Sequence, residues 1–113
     1  MKIVQNSISL QELNEMAKKM GGFVKAVVDI EKKIMAVDAD MHADEEQVLL
    51  ENDSRQEHLW GINIYPQKRN DSSWIEFDSM INLRPSWGNT SRGVDDPTIQ
   101  EIIRDIVNNL VTP

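Results

Sequence analysis

Cysteine is absent from this chain. Its absence excludes disulfides, thiolate metal sites, iron–sulfur clusters and cysteine nucleophiles together, and leaves carboxylates, hydroxyls, amides, arginines and two histidines to carry any chemistry. No stretch comes near the roughly 20 apolar residues that a membrane helix needs, and Met1 to Gln5 lack the basic, apolar and small-residue order of a signal peptide. A cytoplasmic protein without membrane association is therefore expected. Positive charge is also in short supply: 12 Lys and Arg face 19 Asp and Glu, a formal net charge of −7. Such a field argues against non-specific nucleic-acid binding. A local basic patch can still hold a phosphate, because charges more than about 8 Å away are largely screened at physiological salt.

What is present is an ordinary globular composition, 40% hydrophobic and 27% charged over 113 residues, enough for one domain with a modest core and too little for two. Ser9-Leu10-Gln11-Glu12 is a capping box, with Ile8 and Leu13 placed as its hydrophobic staple. Leu10, Leu13, Met16, Ala17 and Met20 then recur at helical spacing until Gly21-Gly22 ends the run. The β-branched stretch from Val24 to Ile30 and the run from Ile34 to Val37 predict a hairpin, although its turn, Glu31-Lys32-Lys33, lacks glycine and asparagine. Ala43 to Asn52 fits either a short helix capped by Asp44 or a buried strand at Val48-Leu49-Leu50, with the helix preferred. Ser54-Arg55-Gln56-Glu57 repeats the capping-box pattern ahead of Trp60.

A second hairpin is predicted from Trp60 to Tyr65 and from an alternating run, Trp74 to Leu83. Its period of two places Ile75, Phe77, Ser79, Ile81 and Leu83 towards the core and Trp74, Glu76, Asp78, Met80, Asn82 and Arg84 on the opposite face. Asp96-Pro97 opens a last helix striped by Ile99, Ile102, Ile103, Ile106, Val107 and Leu110. This order of elements predicts an α+β fold, an antiparallel sheet of two hairpins packed against N-terminal and C-terminal helices.

The connection from Arg84 to Pro97 is the densest in functional groups. Gly88 and Gly93 permit positive φ and close approach to the backbone, Asn89, Thr90 and Ser91 offer neutral hydrogen-bond partners, and Arg84 and Arg92 offer planar donor forks. With Asn63 and Asn82 from the polar face of the second hairpin, they form a candidate site for a small anionic ligand or a protein partner. The plainer reading has the two arginines paired to Asp78, Asp95 or Asp96, with Asn89 and Ser91 as turn formers. No phosphate-loop, zinc-site or nucleophile-elbow spacing occurs here.

A second constellation, Asp38 to Glu46, concentrates carboxylates around His42. Asp38, Asp40, His42 and Asp78 offer oxygen and imidazole ligands that would suit magnesium, manganese or zinc, with Glu76 placed to activate water, as in a divalent-metal-dependent hydrolase. The stretch matches neither an EF-hand loop nor a helical His-Glu-x-x-His pattern, and a charge cluster at a strand exit is commonly a solvated surface. Third, the tryptophans Trp60, Trp74 and Trp87 outnumber the other aromatic types, a bias found at protein interfaces. Trp87 lies in the polar connection, where its exposure would favour a homodimer or a protein partner.

Taken together, His42-Ala43-Asp44, the run Leu59 to Pro66, Phe77 to Asn82, and Arg84-Pro85 with Gly88-Asn89 to Arg92 resemble a small prokaryotic family of unknown function. The resemblance covers nearly the whole chain. It implies a single cytosolic domain and carries no activity, substrate or cofactor.

Overall fold

The computed structural model describes residues 1–113 and contains three α-helices and seven short strands. In chain order they are β1 (Lys2–Val4), β2 (Ile8–Ser9), α1 (Leu10–Lys18), β3 (Val24–Asp29), β4 (Ile34–Val37), α2 (His42–Glu51), β5 (Leu59–Ile64), β6 (Ile75–Glu76), α3 (Pro97–Leu110) and β7 (Val111–Thr112). Five strands form one antiparallel sheet in the order β1-β4-β3-β5-β6, while β2 and β7 pair in parallel and bring the ends of the chain together. The α+β fold and its antiparallel sheet are as expected; the addition of β1 to one edge and the pairing of β2 with β7 are not visible in hydrophobic patterning.

Strand alternation divides the core in two. Val24, Ala26 and Val28 of β3, Met35 and Val37 of β4, and Trp60, Ile62 and Ile64 of β5 pack with Leu13, Met16 and Ala17 of α1 and with Ile103, Ile106, Val107 and Leu110 of α3. The other face buries Val27, Ala36 and Leu59 against Leu49 of α2, with Ile3, Ile34, Leu50 and Ile81 around them. The molecule is thus three layers, with α1 and α3 on one side of the sheet and α2 on the other. Lys25 and Asn63 lie opposite one another on β3 and β5, and Glu76 lies opposite Asn63 on β6. By the same alternation all three point to the α2 side, where the helix leaves part of the sheet uncovered.

Two of the helix starts are capped where the sequence places the signal. Ser9 accepts from the Glu12 amide at 3.0 Å, and Asp96 accepts from the Thr98 amide at 2.8 Å ahead of Pro97. The Glu12 carboxylate, however, turns to Lys2 at 3.0 Å rather than back to the cap. Asp44 does not cap α2; the helix starts two residues earlier, at His42, with Met41 in the capping position. Ile102 of the expected α3 stripe is exposed.

The first hairpin turn manages without glycine through Asp29. Its Oδ1 accepts from the amides of Glu31 and Lys32, both at 2.9 Å, and Lys33 takes the left-handed conformation with φ +59°. An Asp side chain that stands in for a turn carbonyl is the Asx device. Ser54 completes it by donating to Asp29 Oδ2 at 2.6 Å, so this serine braces the hairpin instead of capping the single turn at Gln56–His58.

The expected strand from Trp74 to Leu83 exists only at Ile75 and Glu76. Past Glu76 the chain leaves the sheet and forms a helical turn at Met80–Asn82, for which Ser79 Oγ accepts from the Ile81 amide. A side chain then replaces the missing strand. Asn82 Oδ1 accepts from the Gly61 amide at 2.8 Å, and its Nδ2 donates to the Gly61 carbonyl at 2.9 Å, so one amide satisfies the open edge of β5. The two-sided pattern fails accordingly: Trp74 and Asn82 are buried, whereas Leu83 is exposed. Gly61 is required at this contact, because a Cβ there would lie 2.6 Å from Ser79 Cβ and Oγ.

Candidate functional site

The connection after β6 is held by its own polar groups. Arg84 Nε donates to the Ile81 carbonyl at 3.0 Å, Nη1 to the Gln56 carbonyl at 2.9 Å, and Nη2 to the Leu59 carbonyl. The guanidinium lies between the rings of Trp60 and Trp87, 4.5 and 5.6 Å from their centres, and burial pushes its pKa below the ordinary arginine range. Asn89 is equally committed: Nδ2 reaches the carbonyls of Asn82, Ser91 and Gly93 at 2.8 to 3.1 Å, and Oδ1 accepts from the Asp95 amide at 2.8 Å. Ser91 Oγ donates to Asp95 at 2.5 Å and accepts from the Gly93 amide at 3.1 Å. Asn82 adds a bond to the Arg92 carbonyl at 2.9 Å. Arg84, Asn82, Asn89 and Ser91 therefore build the loop, and their polar atoms are spent inside it.

Arg92 and Asn63 are placed differently. They share the walls of a cavity of about 250 Å³ with His42 and Ala43 from the start of α2, Lys25 from β3, and Asp78. Each comes from a separate stretch of chain, brought together because α2 crosses the sheet face on which Lys25 and Asn63 point outward. A wider surface trough of about 600 Å³ lies elsewhere, along Asn14 and the turn from Pro66 to Asp71, with one apolar residue in its lining. It gathers far less of the candidate chemistry.

In the cleft, His42 Nε2 lies 2.7 Å from the Ile62 carbonyl. A carbonyl can only accept, so Nε2 carries the hydrogen and the neutral ring keeps a lone pair on Nδ1. Burial, opposed by that carbonyl bond and reinforced by Lys25, holds the imidazole below the ordinary histidine range, hence neutral at pH 7. Asn63 Nδ2 donates to Glu76 Oε1 at 2.9 Å and reaches the Asp78 carbonyl at 3.4 Å. Tyr65 donates to the same Glu76 oxygen at 3.1 Å. Burial, with the Glu76 bond and charge beside it, raises the phenol's pKa. Arg92 Nε meets Asp78 Oδ1 at 2.7 Å, leaving the Nη groups unengaged in the protein. Met41 supplies no capping side chain to α2, although its carbonyl accepts from the Asp44 amide at 3.1 Å.

The metal-ligand set read from the sequence is not assembled. No three His, Asp or Glu side chains converge on a point that could hold an ion. Asp38 adopts φ +72° at the exit of β4 and directs its carboxylate to Lys19 at 2.9 Å, while Asp40 contributes its carbonyl, which receives Lys25 Nζ at 2.8 Å. Only His42 and Asp78 of the four reach the cleft.

Lys25 is the cleft residue that patterning passed over. Its signal was available, a single charge inside the apolar run from Val24 to Val28. Glu45 was also missed: it is fully buried on α2, its Oε2 accepts from the Ala39 amide at 3.0 Å, and its Oε1 has no partner. Burial raises its pKa to about 9, so it is held protonated at neutral pH.

Fold and site define a three-layer α+β protein with a mixed-charge cleft at the mouth of its lone-side helix. The family described as "Protein of unknown function (DUF5674)" matches residues 2–110, and the chain belongs to that family. No curated protein and no solved structure matches it. No helix is long and apolar enough to cross a membrane.

Proposed function

We propose that the protein binds a small anionic ligand in the cleft between Arg92, the start of α2 and the polar sheet face. The supporting observation is that one cavity of about 250 Å³ gathers Arg92, Lys25, Asn63, His42 and Ala43 at its walls. Planar guanidinium donors and the positive end of a helix are both suited to carboxylate or phosphate oxygens. Arg92 is about half exposed and engaged only through Nε, so an anion can join Asp78 on the same fork without dismantling the loop. Arg84, the other arginine expected to anchor an anion, has its donors on carbonyls and holds the loop that presents Arg92. Titrating isotope-labelled protein with acetate and with inorganic phosphate tests the proposal. Saturable amide shifts at His42, Ala43, Asn63 and Arg92, lost in Arg92→Ala, are expected; anions that leave those residues unmoved would overturn it.

A second reading, a protein partner or a second copy of the chain, has one observation behind it. Trp87 is 55% exposed and Leu83 42% exposed, and the indole sits stacked on Arg84 at the surface. Large exposed aromatic side chains of this kind are favoured at interfaces. Sedimentation of the wild type and of Trp87→Ala across a concentration series separates this reading from the first: association that vanishes in the variant supports it, and a concentration-independent monomer removes the second-copy form.

A further inference from the structure

Five of the eleven residues that line the cleft are apolar: Phe23, Met41, Ala43, Met80 and Ile81. Two of them are half-buried and fixed. The Phe23 ring leans on Tyr65 with the centroids 5.6 Å apart, and Ile81 packs against the core on the α2 side of the sheet. Two others are left to solvent, Met41 at 58% and Met80 at 61% exposure. A single exposed apolar side chain is ordinary; these two come from distant stretches of chain and meet at one cavity. Neither position needs a methionine for the fold. Met41 stands where α2 would be better capped by Ser, Thr, Asp or Asn, and the turn Met80–Asn82 is held by Ser79 and Asn82. The charged part of the same lining is Lys25 and Arg92 against one carboxylate, Asp78, so a positive charge is left over. Lys25 Nζ spends one of its three hydrogens on the Asp40 carbonyl, and Arg92 meets Asp78 through Nε alone.

We propose that the ligand is a small carboxylic acid with an apolar tail of a few carbons, its carboxylate on Arg92 and its tail against Phe23, Ile81, Met41 and Met80. The inference rests on the anion-binding reading above and adds the second half of the ligand. A phosphate or a short polar acid uses Arg92 and leaves both methionines in water; a neutral apolar molecule leaves the surplus charge unmatched. Phe23 and Ile81 supply a fixed surface for the tail, and the long, unbranched thioether side chains of Met41 and Met80 adapt to its shape. A cavity of about 250 Å³ holds more than a carboxylate group and less than a large ligand, which bounds the tail to a few carbons.

The test is a set of titrations of the wild-type protein with acetate, butyrate and 1-butanol, read by amide shifts and by the methionine methyl resonances. Butyrate is expected to bind about tenfold tighter than acetate, the ratio given by burying two further methylenes. The Met41 and Met80 methyl resonances should move with butyrate and stay with acetate, and 1-butanol should not saturate. In the double variant Met41→Gln/Met80→Gln, the ratio of the butyrate and acetate affinities should fall to about one; both residues are largely exposed, so the variant keeps the fold. If acetate binds at Arg92 and butyrate binds no tighter, the apolar half is wrong and the anion site stands. If 1-butanol binds there as tightly as butyrate, the acid is wrong. If acetate and butyrate both leave Arg92 and His42 unmoved, the tail and the anion site fall together.

Discussion

Arg84 and Arg92 open and close one connection, and the fold uses them in opposite ways. Arg84 is 9% exposed, bonded to three backbone carbonyls and layered between two indoles, without a carboxylate within ion-pair distance. Arg92 is exposed, shares one nitrogen with Asp78 and faces a cavity. The chemical group is the same; what differs is how many of its donors the backbone has already taken. A guanidinium whose donors end on carbonyls is part of the architecture, and one with free Nη groups at a cavity wall is available to a ligand.

Removing Arg84 is the largest perturbation the comparison predicts. Arg84→Ala strands the carbonyls of Gln56, Leu59 and Ile81 beneath a void between Trp60 and Trp87, and should cost about 3–5 kcal/mol in urea unfolding, with Arg84→Lys recovering only part because an ammonium lacks the planar fork. A loss below about 1 kcal/mol would mean that the carbonyl network carries no weight. Next comes the support beneath that network: Gly61→Ala drives a methyl into Ser79, 2.6 Å away, and should cost about 1–3 kcal/mol, with the Asn82 side-chain amide losing hydrogen-exchange protection.

Glu45 sharpens the contrast between a group defined by burial and one left to solvent. Its pKa is raised from 4.5 to about 9 in the fold, so the folded state holds the proton more tightly than the unfolded chain. The associated stability is complete below pH 4.5 and declines as pH rises towards 9, by up to about 1.4 kcal/mol per pH unit. Glu45→Gln should flatten that slope relative to the wild type, and equal slopes would show that Glu45 is ionised in the fold. The smallest effect on stability belongs to Arg92. Arg92→Ala loses one solvent-exposed ion pair with Asp78 and should shift unfolding by less than about 0.5 kcal/mol, while abolishing anion-induced shifts at His42.

Much of the scaffold was legible because its signals are local. Ser9 and Asp96 declare helix starts through side chains that bond the next few amides, Pro97 does so by its fixed φ at the first helical position, and the apolar spacing in α1 and most of α3 follows from the turn they begin. The second hairpin was misjudged because alternation from Trp74 to Leu83 counts side chains and is blind to hydrogen bonds. Asn82 closes the β5 edge with a side-chain amide, a contact 21 residues away in sequence, and no periodicity reveals that. The site was half legible for a related reason. Residue type marked Arg92, Asn63 and His42 as candidates, and marked Arg84, Asn82 and Asn89 equally well; only the fold, which sets the first three in the wall of one cavity and the other three within the loop, divides the two groups. Lys25 joins the cleft through strand pairing with Asn63, which depends on register.

The central claim is that Arg92, and not Arg84, is the arginine offered to an anion. It is tested most directly by following the side-chain Nε–H resonances of both arginines in one acetate titration of the wild-type protein. Saturable movement of the Arg92 resonance, accompanied by the His42 and Ala43 amides and with Arg84 stationary, is the predicted result. Movement of Arg84 with Arg92 unchanged, or silence from both, would contradict it.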